Sequence, residues 1–183
     1  IPVPWQMMCQ RKGALLKVLP VDDSGCHILD RLDTLITDRT RIVAVDHISN
    51  VLGVVANIKE IVRKCHSKGV PVLIDGAQGI VHSSVDVQDL DCDFYAFSGH
   101  KIFAATGTGI LYGKKNLLDQ MPPYMGGGEM VGIGRFSGTT YAPLPLKFEA
   151  GTQNFNGAAT FIPALELADA IRKDAELLEN EKA

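Results

Sequence analysis

The sequence predicts a three-layer α/β/α sandwich around a mostly parallel sheet, and three features carry that prediction. Strand-like apolar runs alternate with helical patterns along most of the 183 residues, the signature of βα repeats. Arg41 to Val45 (RIVAV) is continuous and largely β-branched, as expected of a strand covered on both faces. Two further apolar runs, Val70 to Ile74 and Phe94 to Phe97, pass directly into polar residues, and open α/β sheets bind their ligands at such strand ends.

Taken in order, the elements begin with Leu15 to Leu19, a short apolar run closed by Pro20. Polar Ser24-Gly25 and Asp30 start a helix over Leu29 to Ile36, and the RIVAV strand follows. Asn57 is placed to cap a helix from Ile58 to Ser67, whose Ile58, Ile61, Val62 and Cys65 recur at helical spacing; Gly69 ends it. The strand Val70 to Ile74 runs into Asp75-Gly76-Ala77-Gln78. A short helix near Val87 to Leu90 leads to the strand Phe94 to Phe97 and then to Ser98-Gly99-His100-Lys101. Gly109 to Tyr112 is one more strand. Pro122 to Asn156, rich in Gly, Pro and Thr, is too long for an ordinary connector and points to function. Thr160 to Leu178 is a long amphipathic helix leading toward a second domain.

Composition narrows the function. With 46% hydrophobic residues the chain can bury one core, so one domain is expected. A net charge of -3, with Arg11-Lys12, Arg63-Lys64 and Lys114-Lys115 as the basic doublets, argues against nucleic acid or an acidic membrane surface as partner. No apolar run approaches the roughly 18 residues needed to span a bilayer. The opening Ile1-Pro2-Val3-Pro4-Trp5 has neither an initiator Met nor a signal core, so the chain reads as part of something longer. Cys9, Cys26, Cys65 and Cys92 form no C-x-x-C pair and no zinc spacing with the five histidines. No metal site is expected, and a reducing cytoplasm suits four unpatterned thiols.

Chemistry concentrates at the two strand ends. A lysine at a strand end is ordinarily a surface residue, and Lys101 alone decides nothing. Its other role, Schiff-base chemistry, requires a partly desolvated ammonium that can give up its proton. Asp75, directly after Val72-Leu73-Ile74, either caps the turn into Gly76 or pairs with a buried cation. A protonated pyridine nitrogen is such a cation, and Gln78 could donate to an adjacent ring oxygen. Ser98 and His100 offer a hydroxyl and an imidazole suited to phosphate. Together the five residues supply a partner for every polar edge of pyridoxal 5′-phosphate (PLP). Competing motifs fail on context: Ser98-x-x-Lys101 lacks the S-D-N and K-T-G of penicillin-binding enzymes, and Gly107 to Lys114 is one residue too long for a P-loop. Gly126-Gly127-Gly128 follows no convincing strand, and Asp46-His47 has no G-x-S-x-G serine to complete a triad.

The runs DHISNVLG (Asp46 to Gly53), VLIDGAQ (Val72 to Gln78), DCDFYAFSGHK (Asp91 to Lys101), TGTGILYGKK (Thr106 to Lys115), PPYMGGGEM (Pro122 to Met130) and FEAGTQN (Phe148 to Asn154) resemble the group II cysteine desulfurases and selenocysteine lyases. These belong to the class V aminotransferase group of fold-type I PLP enzymes. The resemblance covers nearly the whole chain. It departs at Ala104-Ala105-Thr106-Gly107, where the family usually has Gly-Pro-Thr-Gly, at Lys147, where Arg is common, and at Gln153, where Pro is common. Those departures bear on loop rigidity and remove no catalytic group.

What the resemblance implies is a fold-type I PLP domain. Residues 1–183 would be part of the large PLP-binding domain, with an N-terminal phosphate-binding segment and the C-terminal small domain outside the chain. Lys101 would hold PLP and move the substrate α-proton. Asp75 would pair with the pyridine nitrogen and Gln78 with the ring oxygen, while Ser98 and His100 would bind the phosphate. Asn50 would face the substrate or the aldimine, and Thr152 would reach the phosphate of a neighbouring subunit's PLP in a homodimer. The parent enzyme would take sulfur from L-cysteine, leaving L-alanine and an enzyme persulfide for a sulfur-acceptor protein in iron–sulfur assembly. L-selenocysteine is the alternative substrate. The accepting Cys and the substrate-carboxylate Arg would lie elsewhere, so these residues alone are expected to be inactive, or to serve only folding and dimerisation.

Overall fold

The computed structural model describes residues 2–180. Helices α1 (Pro2–Lys12) and α2 (Leu32–Leu35) precede a four-stranded sheet of β1 (Val43–Asp46), β2 (Val72–Asp75), β3 (Phe94–Ser98) and β4 (Gly109–Gly113), in that spatial order. Helix α3 (Ile58–His66) makes the crossover from β1 to β2, and α4 (Gly79–His82) with α5 (Val87–Leu90) makes the one from β2 to β3. Both crossovers therefore join parallel neighbours. β4 turns back antiparallel to β3, which a reading of hydrophobic runs does not anticipate. Beyond it come α6 (Lys115–Gln120), the hairpin β5 (Val131–Arg135) and β6 (Gly138–Tyr141), then α7 (Phe155–Ala159) and α8 (Phe161–Asn180).

The core explains why these residues make these elements. Val72 and Ile74 of β2, Val45 of β1 and Tyr95 of β3 alternate onto one face. There they pack with Ile58, Ile61, Val62 and Cys65, the apolar stripe of α3. Asn57 caps that helix as expected, accepting from the Glu60 N–H at 3.2 Å, and Gly69 leaves it with φ 67°. The other face of β2 and β3, carrying Leu73, Asp75, Ala96 and Ser98, is half-buried.

Several expectations need correction. Leu15 to Leu19 forms no strand; Leu15 and Val18 are exposed because no neighbouring backbone offers that segment a ladder. The helix over Leu29 to Ile36 is a 3-10 turn (Leu29–Arg31) continued by the single turn of α2, anchored by buried Leu32 and Ile36. Val70 lies outside β2 because its N–H goes to the Cys65 carbonyl, closing α3 instead of joining the sheet. The Gly/Pro/Thr-rich segment contains the β5–β6 hairpin, whose strand residues are all exposed.

At the rim where β2 and β3 begin, Asp93 organises a compact ion cluster. Its Oδ2 accepts from the Val72 N–H at 2.7 Å and lies 2.7 Å from His66 Nε2, while Oδ1 lies 3.5 Å from Lys114 Nζ. Lys114 also pairs with Asp91 at 2.5 Å. The cluster ties the end of α3 to the entry of two strands and the exit of β4.

Candidate active site

Because β1, β2 and β3 are parallel, their carboxyl ends share a rim: Asp46, Asp75 and Ser98 close the three strands there, and β4 starts beside them at Gly109. Asp75 and Ser98 alternate onto the same, half-buried face. One Asp75 oxygen accepts from the Ala77 N–H at 3.0 Å, so the residue does cap its turn, and the second oxygen remains available. Gly76 N–H is held by the Ala96 carbonyl at 2.8 Å, which fixes the first peptide after the strand.

Asn50 and Gln78 meet in one groove of about 460 Å³, lined also by Ile48, Ser49, Gly53, Val55 and His82. The loop after β1 and the turn after β2 therefore converge, which spacing alone could not reveal. His82 joins this groove without having been singled out in the sequence.

Lys101 and His100 occupy the 3-10 turn Gly99–Ile102 after β3, with both side chains exposed. Among the described residues neither makes a side-chain hydrogen bond or ion pair, and the same holds for Gln78 and Ser98. The desolvation expected of a Schiff-base lysine is thus not supplied by these residues: the turn packs Ile102 inward and leaves Lys101 facing out. Thr152 is exposed near the Gly126 to Met130 loop, where Gly151 N–H donates to the Gly128 carbonyl at 3.0 Å; it makes no hydrogen bond to the rim residues.

The loop after Lys101 is well tied despite its departure from the family pattern. The Ala105 N–H donates to Thr160 Oγ1 at 2.9 Å, a bond that a proline there could not make. Thr108 Oγ1 donates to the Ala105 carbonyl at 2.6 Å, and its own carbonyl accepts from Gly99 N–H at 2.9 Å. Gly99 must stay small, since a Cβ would lie 2.5 Å from Thr108 Oγ1 and 2.8 Å from Phe161. Side-chain hydrogen bonds here replace the stiffness of a Pro ring.

Asp46-His47 separates into two unrelated contacts. Asp46 lies 3.8 Å from His27 Nε2, whereas His47 Nδ1 meets the Tyr95 hydroxyl at 2.9 Å beneath the Asp75 turn. Burial pushes the His47 pKa below, and the Tyr95 pKa above, its ordinary value, so both are neutral. The cysteines behave as core and turn residues. Cys65 and Cys92 are fully buried with thiols pushed up to about 11 by that burial, Cys26 is exposed and Cys9 half-buried.

The family profile described as aminotransferase class-V matches residues 1–182. The chain is 51% identical over 170 residues to a cysteine desulfurase of Cronobacter sakazakii, covering 92% of this chain and 42% of that protein. It is 49% identical over 174 residues to one of Dickeya dadantii, covering 94% and 42%. The crystal structure of the Escherichia coli cysteine desulfurase CsdA (S-sulfonic acid) superposes with a TM-score of 0.86 at 47% identity, covering 90% of this chain and 41% of that one. The apo cysteine desulfurase of Thermococcus onnurineus superposes with a TM-score of 0.86 at 31% identity over 97% and 46%. The chain thus spans about two fifths of the length of the curated relatives it matches. On the strength of that match from end to end, the chain belongs to the class-V aminotransferase family.

Proposed function

We propose that these residues form part of the large, cofactor-binding domain of a PLP-dependent cysteine desulfurase, which takes the sulfur of L-cysteine and leaves L-alanine. The observation that supports this most is a strand-end rim carrying a carboxylate with a free oxygen, an amide, a hydroxyl, an imidazole and an ammonium, the last four without another partner among the described residues. That donor set fits PLP, the cofactor of the family, edge for edge. When bound, PLP supplies the electron sink that lets the substrate's Cα–H bond break.

The chain's own residues then have distinct tasks. Asp75 offers its second oxygen to the pyridine nitrogen and keeps the proton there. Gln78 donates to the ring oxygen, and Ser98 with His100 binds the phosphate. Lys101, once deprotonated, attaches the cofactor and carries the α-proton of the substrate. Asn50, lining the same groove as Gln78, faces the substrate. Thr152, exposed and without a hydrogen bond to the rim residues, would serve the neighbouring subunit's site in a homodimer. Cys65 and Cys92 are buried and hard to ionise, and neither Cys9 nor Cys26 stands where the resemblance puts the sulfur acceptor. That thiol is assigned to the rest of the protein, which would pass sulfur on to an acceptor protein in the cytoplasm. Among the described residues no helix is long and apolar enough to cross a membrane.

The test is alanine release by the full-length protein from L-cysteine and from L-selenocysteine, with borohydride fixing of the bound cofactor followed by peptide mapping. Alanine from L-cysteine with the label on Lys101 is expected. A label on Lys114 or Lys115 would defeat the assignment, and alanine from L-selenocysteine alone would make the enzyme a selenocysteine lyase.

A further inference from the structure

We infer that His47 and Tyr95 form a buried positioning pair that sets the Asp75–Gln78 turn at the height PLP requires. The inference rests on the proposed function and adds two residues to its site.

Strand alternation places the pair on the opposite side of the backbone from the Asp75 carboxylate. Tyr95 is in register with Ile74 and shares its face, whereas Asp75 is in register with Ala96. Neither ring therefore competes for the ligand side of the turn; both press on the backbone from below. A Cβ on Gly76 would run into the Tyr95 ring and lie 2.6 Å from its hydroxyl. A Cβ on Gly79 would lie 2.7 Å from both His47 Cγ and the same hydroxyl. The two glycines that bracket Ala77-Gln78 thus rest on one platform, and this close approach is why both are glycine.

The platform is rigid for identifiable reasons. Tyr95 is 1% and His47 8% exposed, and their rings meet edge to face, 89° apart with centroids 5.9 Å apart. The tyrosine hydroxyl and His47 Nδ1 share a hydrogen bond of 2.9 Å whose direction follows the imidazole tautomer. Backbone bonds lock the pair to both halves of the site. His47 N–H donates to the Asp75 carbonyl and its carbonyl accepts from Ala56 N–H, each at 2.9 Å, closing the loop that carries Asn50. A displacement of either ring moves Asp75, Gln78 and Asn50 together.

The experiment uses the full-length protein and the variants Tyr95→Phe, His47→Leu, His47→Gln and the double variant Tyr95→Phe/His47→Leu. Each apolar single variant leaves a buried polar atom unpaired, and the double variant removes both partners. Expected for the single variants is a kcat lowered by roughly tenfold to a hundredfold with KM little changed, as for a small misplacement of a site. The pH titration of the visible cofactor band should also shift. His47→Gln, which can still accept from Tyr95, should restore both. In the double variant the melting temperature should recover while the band stays shifted. Recovery of melting temperature and band together would reduce the pair to a structural role and overturn the inference, as would single variants with wild-type band and kcat. A wild-type protein without PLP would instead remove the functional reading. The crystal structure of Tyr95→Phe then decides the inference: a displaced 75–79 turn supports it, and a superposable one overturns it.

Discussion

Replacing Asp93 by Ala should cost the fold more than any other single change at the rim opposite the candidate site. The carboxylate is 6% exposed and holds the Val72 N–H and His66 Nε2 at 2.7 Å each, with Lys114 Nζ at 3.5 Å. Truncation leaves a buried amide without an acceptor, which costs about 1–3 kcal/mol. Lys114 and His66 lose one of two carboxylates, but both keep Asp91 and their side chains are 27% and 28% exposed, so this adds only about 0–1 kcal/mol. The expected total is about 2 kcal/mol. With a denaturant slope of about 2 kcal/mol per molar urea, the midpoint should fall by about 1 M. Asp93→Asn keeps an acceptor for Val72 and should lose about half as much. The assay is equilibrium urea unfolding followed by circular dichroism. An Asp93→Ala midpoint within about 0.5 M of wild type would refute the reasoning, because the cluster would then contribute no more than an exposed ion pair.

Three further outcomes follow. In the full-length protein, Asp75→Ala should lower turnover by about a hundredfold or more, the scale of losing one preorganised electrostatic contact; near-normal alanine release would leave Asp75 as a turn cap only. Iodoacetamide at neutral pH should label Cys26 before Cys65 and Cys92, and since the last two hold their protons to about 11 when folded but ionise near 9 when unfolded, their contribution to stability should be constant below pH 9 and lost between pH 9 and 11, as urea midpoints measured across that range will show. The 183-residue chain alone should release no alanine or sulfide from L-cysteine above a PLP-only control, because the resemblance assigns a phosphate-binding segment and the sulfur-accepting thiol to the rest of the protein.

Much of this was legible in the residues themselves. The stripe on α3 with its Asn57 cap, and the strands that deliver Asp75 and Ser98 to one rim, follow from period and punctuation. The direction of β4 did not, because a five-residue apolar run carries no sign of which way it will pair. Leu15 to Leu19 failed for the related reason that a run of β-prone residues becomes a strand only beside another one. Tyr95 was hidden because a tyrosine in a strand resembles an ordinary core residue, and His47 showed only as half of an incomplete triad. The available signal was indirect: glycines at 76 and 79, on either side of Ala77-Gln78, mark where something bulky lies underneath.

The position of β4 at the end of the sheet has a colloidal consequence. Among the described residues one edge of its backbone has no strand beside it, and Ile110 and Leu111, 45% and 56% exposed, project apolar surface from both sides of that edge. A bare apolar edge is a template for the same edge on another molecule. Lys114 would ordinarily guard it, but that ammonium is committed to Asp91 and Asp93. Concentrated solutions of this chain by itself should therefore self-associate through strand edges, and a lysine in place of Ile110 should delay the onset of light scattering without unfolding the sheet.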